Sequence, residues 1–292
     1  MQQGLLIKGI GGFYYVQTDA GELLTCKARG KFRNIHETPA IGDRVEVDTP
    51  KEGYAVVSRI LPRKNLLVRP PVANIDQLVI VAAASVPQPD WLLVDKLIVQ
   101  AYHAKIMPIL VLNKLDEQDE ATMEIFRADY ADHFTVRMVS TVTGAGIAEL
   151  RALLPSKITC FAGQSAVGKS SLLNSLLPEL SLETGTLAKK TDRGRHTTRH
   201  AELWPYEGGA VLDTPGFSLY ESELLDQHDL DQYYPEFSHV SNQCRFPGCR
   251  HIAEPDCAVK QLLETGELSK GRYTRYCQIS DELAARRKHQ YD

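Results

Sequence analysis

Eight residues, Gly163-Gln164-Ser165-Ala166-Val167-Gly168-Lys169-Ser170, constrain this chain more than any other stretch. They match G-x-x-x-x-G-K-[ST], a pattern that carries meaning only between a strand and a helix. Ile158 to Ala162 is a short apolar run with β-branched residues and reads as a buried strand. Ser171 to Leu177 reads as the first turns of a helix stopped by Pro178. In that setting the backbone N–H groups of Gly163 to Ser171 turn toward an anion, helped by the partial positive charge of the helix N-terminus. Lys169 reaches β- and γ-phosphates and the Ser170 hydroxyl takes Mg2+. The chain is expected to bind a nucleotide.

The elements around this loop alternate. Strands are expected at Ile75 to Ala83, Met107 to Leu112, Thr135 to Ser140, Ala201 to Trp204 and Gly209 to Leu212. Helices are expected at Trp91 to Ala104 with Asp90 as N-cap, at about Glu120 to Phe134, and at Ile147 to Leu154. Near-continuous apolar strands between amphipathic helices are the signature of a doubly wound sheet covered on both faces. The second strand runs into Asn113-Lys114-Leu115-Asp116. A carboxylate there accepts from both N1–H and the N2 amino group of guanine, a two-donor edge that adenine lacks. Asn113 would brace the loop or contact N7, the Lys114 stem would lie over the base, and Ser140-Thr141 forms the second base-side loop.

Beyond the phosphate helix, 179 to 199 is polar and holds a run of basic residues before the next strand. A loop here whose threonine closes on Mg2+ and the γ-phosphate is what a nucleotide switch requires; Thr198 is the first choice and Thr197 the second. Asp213-Thr214-Pro215-Gly216 follows the next strand, with Asp213 placed to hold Mg2+ through water and the Gly216 N–H to sense the γ-phosphate.

At 292 residues, 43% hydrophobic and 24% charged, the chain has apolar material for two or three cores. Its net charge of −4 does not mark a nucleic-acid binder, so any such role has to come from a local patch. No apolar run approaches a membrane span and the N-terminus lacks the pattern of a signal peptide, so a cytoplasmic protein without membrane contact is expected. Residues 1 to 70 hold 11 Lys and Arg against 7 Asp and Glu. Short β-rich runs there, separated by turn clusters, suggest a small barrel of OB type. Lys27, Arg29, Lys31 and Arg33 fall together around Phe32, the combination of basic and exposed aromatic groups such barrels use on RNA. Pro62 to Pro71 reads as a linker.

From about 221 the chain changes again. Cys244, Cys249, His251 and Cys257 crowd into a loop poor in apolar residues, spaced Cys-x4-Cys-x-His-x5-Cys. In a reducing compartment these read as ligands of a structural zinc ion. Cys277 is a lesser candidate; Cys26 and Cys160 read as strand core. Tyr273 to His289 reads as an amphipathic helix ending in a basic cluster that either complements the helix dipole or touches phosphate. The expected division is a barrel at 1–70, a P-loop domain at 71–220 and a zinc-bearing, mostly helical region at 221–292.

The motif order is unusual. Asn113-Lys114-Leu115-Asp116 precedes the phosphate loop, whereas ordinary small GTPases place it last, so the domain is circularly permuted. Such a domain between a barrel and this Cys/His segment resembles the RsgA family of small-ribosomal-subunit biogenesis GTPases, and the Gly194-Arg195-His196-Thr197-Thr198 stretch is similar to that family's first switch. The resemblance implies a factor that binds the 30S subunit late in maturation, contacts 16S rRNA through barrel and zinc region, hydrolyses GTP to GDP under stimulation by the subunit, and leaves. It also implies Mg2+ with GTP, one zinc and a monomer. Where many GTPases carry a water-orienting Gln after Asp-x-x-Gly, this chain has Phe217-Ser218. No histidine occurs from Ser218 to Gln227; His228 lies further along and His196 is the alternative. Slow intrinsic turnover is therefore expected. Two other classes share these motifs: a guanine-nucleotide-sensing RNA-binding module with incidental hydrolysis, and an ATPase or nucleotide kinase on the same loop.

Overall fold

The computed structural model describes residues 2–30, 32, 38–67, 71–117, 119–178, 202–213 and 225–291. The first five strands are β1 (Gln2–Ile10), β2 (Phe13–Thr18), β3 (Leu23–Ala28), β4 (Arg44–Asp48) and β5 (Ala55–Ile60). They close into a barrel in the order β1-β2-β3-β5-β4, with β3 and β5 parallel and the other pairs antiparallel. Alternate residues Leu6, Val16, Cys26, Val45, Val47 and Val57 fill its interior. Phe32 joins them at 5% exposed. This corrects the reading of Phe32 as a surface aromatic in the basic run: its ring plugs the barrel.

The described residues at either end of the proline-rich segment are held in place. β6 (Leu66–Leu67) pairs with β7 (Val72–Ala73), and Arg63 forks onto the buried Asp43 carboxylate at 2.7 and 2.8 Å. The Ala73 N–H donates to the Ile41 carbonyl at 2.7 Å, and Lys8 reaches Glu202 at 2.6 Å. Barrel and central domain therefore meet along a fixed seam.

The central sheet holds β8 (Gln77–Ala83), β9 (Met107–Asn113), β10 (Thr135–Met138), β11 (Ile158–Ala162), β12 (Leu203–Tyr206) and β13 (Gly209–Asp213). Their order is β10-β9-β8-β11-β13-β12, all parallel except the β12–β13 hairpin. Both faces are dry. Leu78, Ile80 and Ala82 point to one core, while Val79, Val81 and Ala83 point to the other, which is why β8 reads as a continuous apolar run. Helices α1 (Trp91–His103) and α2 (Glu120–Tyr130) cover the first face; α3 (Ile147–Arg151) and α4 (Lys169–Leu176) cover the second. Beginning at β11, passing through β12 and β13 and returning to β8, β9 and β10 would restore the ordinary motif order with the phosphate loop first.

Most element limits fall within a few residues of expectation, and the departures have local causes. The β10 strand stops at Met138 because the Ser140 hydroxyl turns the chain by accepting from the Val142 and Thr143 N–H groups. The α1 cap is Asp90, whose carboxylate accepts from the Leu93 N–H at 2.9 Å.

The C-terminal region consists of 3-10 turns at Gln227–Tyr233, Pro235–Phe237 and Ser241–Gln243, then α5 (Ala258–Thr265) and α6 (Lys270–Tyr291). Ser269 caps α6 by accepting from the Arg272 N–H, so this helix starts before the expected Tyr273. Its core of Leu230, Tyr234, Phe237, Val259, Tyr276 and Ile279 extends to Val99, on the face of α1 turned away from the sheet. No described helix is long and apolar enough to cross a membrane.

Candidate nucleotide site and metal centre

The loop after β11 and the loop after β9 emerge at the same carboxyl edge of the sheet, where doubly wound proteins bind ligands. Gly163 has φ +133°, and a Cβ there would lie 2.1 Å from the Val81 carbonyl oxygen. Only glycine lets the loop leave β11 so close to β8. Ala166 and Gly168 also have positive φ, at 65° and 92°. The resulting turn carries Ser165 and Ala166 outward, sinks Val167 into the core and starts α4 at Lys169. Lys169 Nζ lies on the rim of this cradle, donating to the Gly163 and Gln164 carbonyls at 2.8 and 2.7 Å. The Gln164 Oε1 accepts from the Asp90 N–H at 3.3 Å, joining the cradle to the start of α1. Ser170 and Ser171 follow on the first turn of α4, both part-buried.

Asn113 ties the two loops together. Its Nδ2 donates to the Val167 carbonyl at 2.9 Å, with the side chain buried. This is the bracing arrangement, one of the two expected of it. Lys114 adopts φ 67° and hydrogen-bonds the Val86 carbonyl, so its stem spans the gap toward the β8–α1 loop. Asp116 is exposed, and its Oδ1 accepts from the Ser140 hydroxyl at 2.5 Å. Ser140 is fully buried, so the base-side loop holds the carboxylate in place while leaving it open to a ligand. Thr141, part-buried, is next in that turn.

Asp213 ends β13 opposite Phe161 of β11, which sets its backbone at the same sheet edge as the cradle. Thr198, Thr197, His196 and Gly216 lie outside the described residues, as do Lys31 and Arg33 of the basic run. Lys27 and Arg29 are exposed on and just after β3. Sequence reasoning missed the aromatics beside them. The Lys27 ammonium sits 5.3 Å from the Phe13 ring centre and 4.8 Å from that of Tyr54, and the two rings meet edge-on at 5.1 Å. Register could have found Phe13, which pairs with Lys27 across β2 and β3.

The four candidate metal ligands converge. One ligand atom from each of Cys244, Cys249, His251 and Cys257 lies within 4.8 Å of all the others. Cys244 Sγ is 3.9 Å from Cys257 Sγ, and His251 Nδ1 is 3.5 and 3.4 Å from those two sulfurs. Tetrahedral coordination with Zn–S about 2.3 Å and Zn–N about 2.1 Å requires edges of about 3.8 and 3.6 Å, so the donor set fits zinc. Electrostatics point the same way. Burial and the neighbouring thiols push Cys249 up to about 12. Burial also opposes ionisation of Cys257, but the Lys260 N–H and His251 outweigh it and bring that thiol below its ordinary value. Thiols packed this closely ionise together only around a cation. Cys26 and Cys160 are buried strand residues, and Cys277 is outside the cluster.

A second network, unforeseen from sequence, fastens this region to the central domain. Buried Arg272 reaches Asp95 of α1 at 2.6 Å and Glu236 at 2.7 Å, while Arg275 reaches Asp95 at 2.5 Å and Asp129 of α2 at 2.7 Å. Tyr234 lies under the Arg272 guanidinium at 4.5 Å. The legible signal was Asp95, a lone charge on the apolar stripe of α1.

These features define a class: a circularly permuted P-loop GTPase domain set between a five-stranded barrel and a helical Cys/His region. The RsgA GTPase family model matches residues 60–223 and the RsgA N-terminal domain model residues 3–57. A Geobacillus protein named small ribosomal subunit biogenesis GTPase RsgA is 42% identical, covering 98% of this chain and 99% of its own. A Ruminiclostridium cellulolyticum protein of the same name is 45% identical, over 97% and 94%. Among solved structures, YjeQ from Thermotoga maritima superposes with a TM-score of 0.87 at 35% identity, covering 97% of this chain and 98% of that one. YloQ, described as a circularly permuted GTPase, gives 0.83 at 35% identity over 98% and 96%. The chain belongs to the RsgA family.

Proposed function

We propose that this chain is a GTP hydrolase of small ribosomal subunit biogenesis. It binds the 30S subunit late in maturation, contacts 16S rRNA, hydrolyses GTP to GDP and phosphate when the subunit stimulates it, and dissociates. The observation that carries this reading is the joining of the two loops by Asn113 and Val167 at one sheet edge, in a chain whose full-length relatives carry that name. Asp116, held by Ser140 beside Thr141, reads the guanine N1–H and N2 amino group, and the Lys114 stem covers the base. The N–H groups from Gly163 to Ser171 cradle the phosphates, and Lys169 turns from the loop carbonyls onto the β- and γ-phosphate oxygens. Mg2+, which neutralises charge between those phosphates, would be held by Ser170, Asp213 and Thr198. The Gly216 N–H senses the γ-phosphate, and His196 is the group proposed to orient the attacking water.

The division of labour is 1–70 for RNA contact, 71–220 for GTP and 221–292 for a zinc-stapled tail. Lys27, Arg29, Lys31 and Arg33 meet rRNA phosphates, with Phe13 and Tyr54 offering ring faces to bases. Cys244, Cys249, His251 and Cys257 hold one structural zinc ion, which closes a loop that has little core of its own. The protein acts as a cytoplasmic monomer.

The deciding experiment is GTP hydrolysis by the zinc-loaded protein alone, with 30S and with 50S subunits, using ATP as a control. Slow basal turnover with strong stimulation by 30S only is expected. Basal turnover of about 1–100 s−1, the range of protein kinases, would overturn the dependence on the subunit. Tight GTP binding without stimulation by either subunit would mean that hydrolysis is incidental to nucleotide sensing.

A further inference from the structure

We infer that Asp231 is the outer carboxylate of the metal centre: it takes the Nε2 hydrogen of His251, turns Nδ1 toward the thiolates, and ties the centre to the chain that follows β13. The inference rests on the zinc reading above.

His251 is 1% exposed, and its two ring nitrogens face different surroundings. Nδ1 points at the sulfurs of Cys244 and Cys257. With Nδ1 as the ligand atom, the ring carries its hydrogen on Nε2. That Nε2 is buried and has no hydrogen-bond partner among the described residues, a situation native interiors rarely leave unanswered. Asp231 Oδ2 lies 3.6 Å from it, a few tenths of an ångström beyond a normal N–H···O bond. The neighbouring carboxylates are committed elsewhere. Glu254 accepts from the N–H groups of Arg250, Ile252 and Ala253, and Asp256 pairs with Arg245 at 2.7 Å. The Asp231 side chain has no other hydrogen bond or ion pair among the described residues.

The rest of the ring's frame is already set. His251 has φ 61°, its carbonyl accepts from the Tyr273 hydroxyl at 2.7 Å, and Phe237 meets the ring edge-on at 5.6 Å. Asp231 supplies the remaining constraint, the choice of which nitrogen faces the metal. It sits on the 3-10 turn Gln227–Tyr233, downstream of β13 along the chain. A metal ligand is thereby oriented from the segment that leads away from Asp213.

The test is zinc retention by the full chain, titrated with a chromogenic chelator, in the parent and in Asp231→Ala, Asp231→Asn and Asp229→Ala. Asp229 shares the same turn and is a control. Losing an outer-shell partner weakens metal binding about 10–100-fold, so Asp231→Ala is expected to release zinc in that range. Asp231→Asn keeps an acceptor oxygen and should recover most of the loss, while Asp229→Ala stays at the parent value. Melting temperatures are measured with zinc and after chelation. The Asp231→Ala deficit is expected with metal and absent without it. An equal deficit in both states, or parent-like zinc retention, would overturn the role of Asp231 while leaving the zinc reading intact. A parent protein that holds no zinc would overturn both.

Discussion

Arg272 and Asp95 meet at 2.6 Å with both side chains buried, one from the last helix and the other from the first helix of the central domain. The same carboxylate takes Arg275 at 2.5 Å and the Tyr130 hydroxyl at 2.6 Å. One acidic side chain thus serves two guanidinium groups at the seam. Arg272 remains charged there, because Asp95 and Glu236 more than offset its desolvation and raise it well above its usual range.

Removing Asp95 should therefore be severe. Breaking a buried pair by deleting one partner costs about 3–5 kcal/mol, since the other charge stays buried without compensation. Asp95→Ala is expected to lower stability by that amount in urea unfolding, and Asp95→Asn by less. Hydrogen exchange locates the effect: protection should fall first in α6, not in the central sheet. A loss confined to the sheet would contradict the seam as the site of damage.

The Asp116–Ser140 contact makes a graded prediction. A hydrogen bond to a charged group is worth about 1.5–3 kcal/mol, so Asp116→Asn should weaken GTP binding about 10–100-fold, with little change for ATP. Ser140→Ala leaves the carboxylate in the site but unsupported, and should cost about tenfold or less. Isothermal titration with GDP checks both. Equal losses for guanine and adenine nucleotides would mean that Asp116 does not read the base.

At Gly163 the prediction is steric. Alanine would place a methyl group 2.1 Å from the Val81 carbonyl oxygen at φ +133°. The backbone strain alone is worth about 1–3 kcal/mol, and relieving the clash requires β11 and β8 to part. Gly163→Ala should abolish nucleotide binding and lower the melting temperature. Gly11→Ala, at a hairpin where a Cβ meets nothing within 4 Å, should pay the conformational cost only.

How much was legible follows from which interactions are local. Strands buried on both faces announce themselves as apolar runs, so β8, β9, β11 and β13 were readable, as was the Asp90 cap three residues before Leu93. The Cys/His cluster was legible because its ligands lie close together in sequence. Arg272 was not: in sequence it is one more charge on a polar helix, and only tertiary packing buries it over the Tyr234 ring. Phe32 misled for the converse reason, since its basic neighbours in sequence hide a residue that packs into the barrel core. Asp231 pairs with a histidine twenty residues away on a separate turn, and no local pattern encodes that.

The barrel surface separates stacking from charge. Lys27 has no carboxylate partner among the described residues, unlike Lys8, Arg44, Arg59, Arg63 and Lys64 elsewhere in the N-terminal region, so its charge is available to a phosphate. Each phosphate contact releases a counterion, so Lys27→Ala should flatten the dependence of log K on log salt by about one unit and weaken all RNA sequences alike. Tyr54 is half exposed at 51% and holds its ring edge-on to Phe13. Base stacking on an aromatic is worth about 1–3 kcal/mol, so Tyr54→Ala should weaken binding to single-stranded RNA about 10–100-fold with the salt slope unchanged. Fluorescence anisotropy on a short rRNA fragment, repeated across a salt series, distinguishes the two. If Tyr54→Ala changed the slope and Lys27→Ala did not, the roles assigned to ring and ammonium would be wrong.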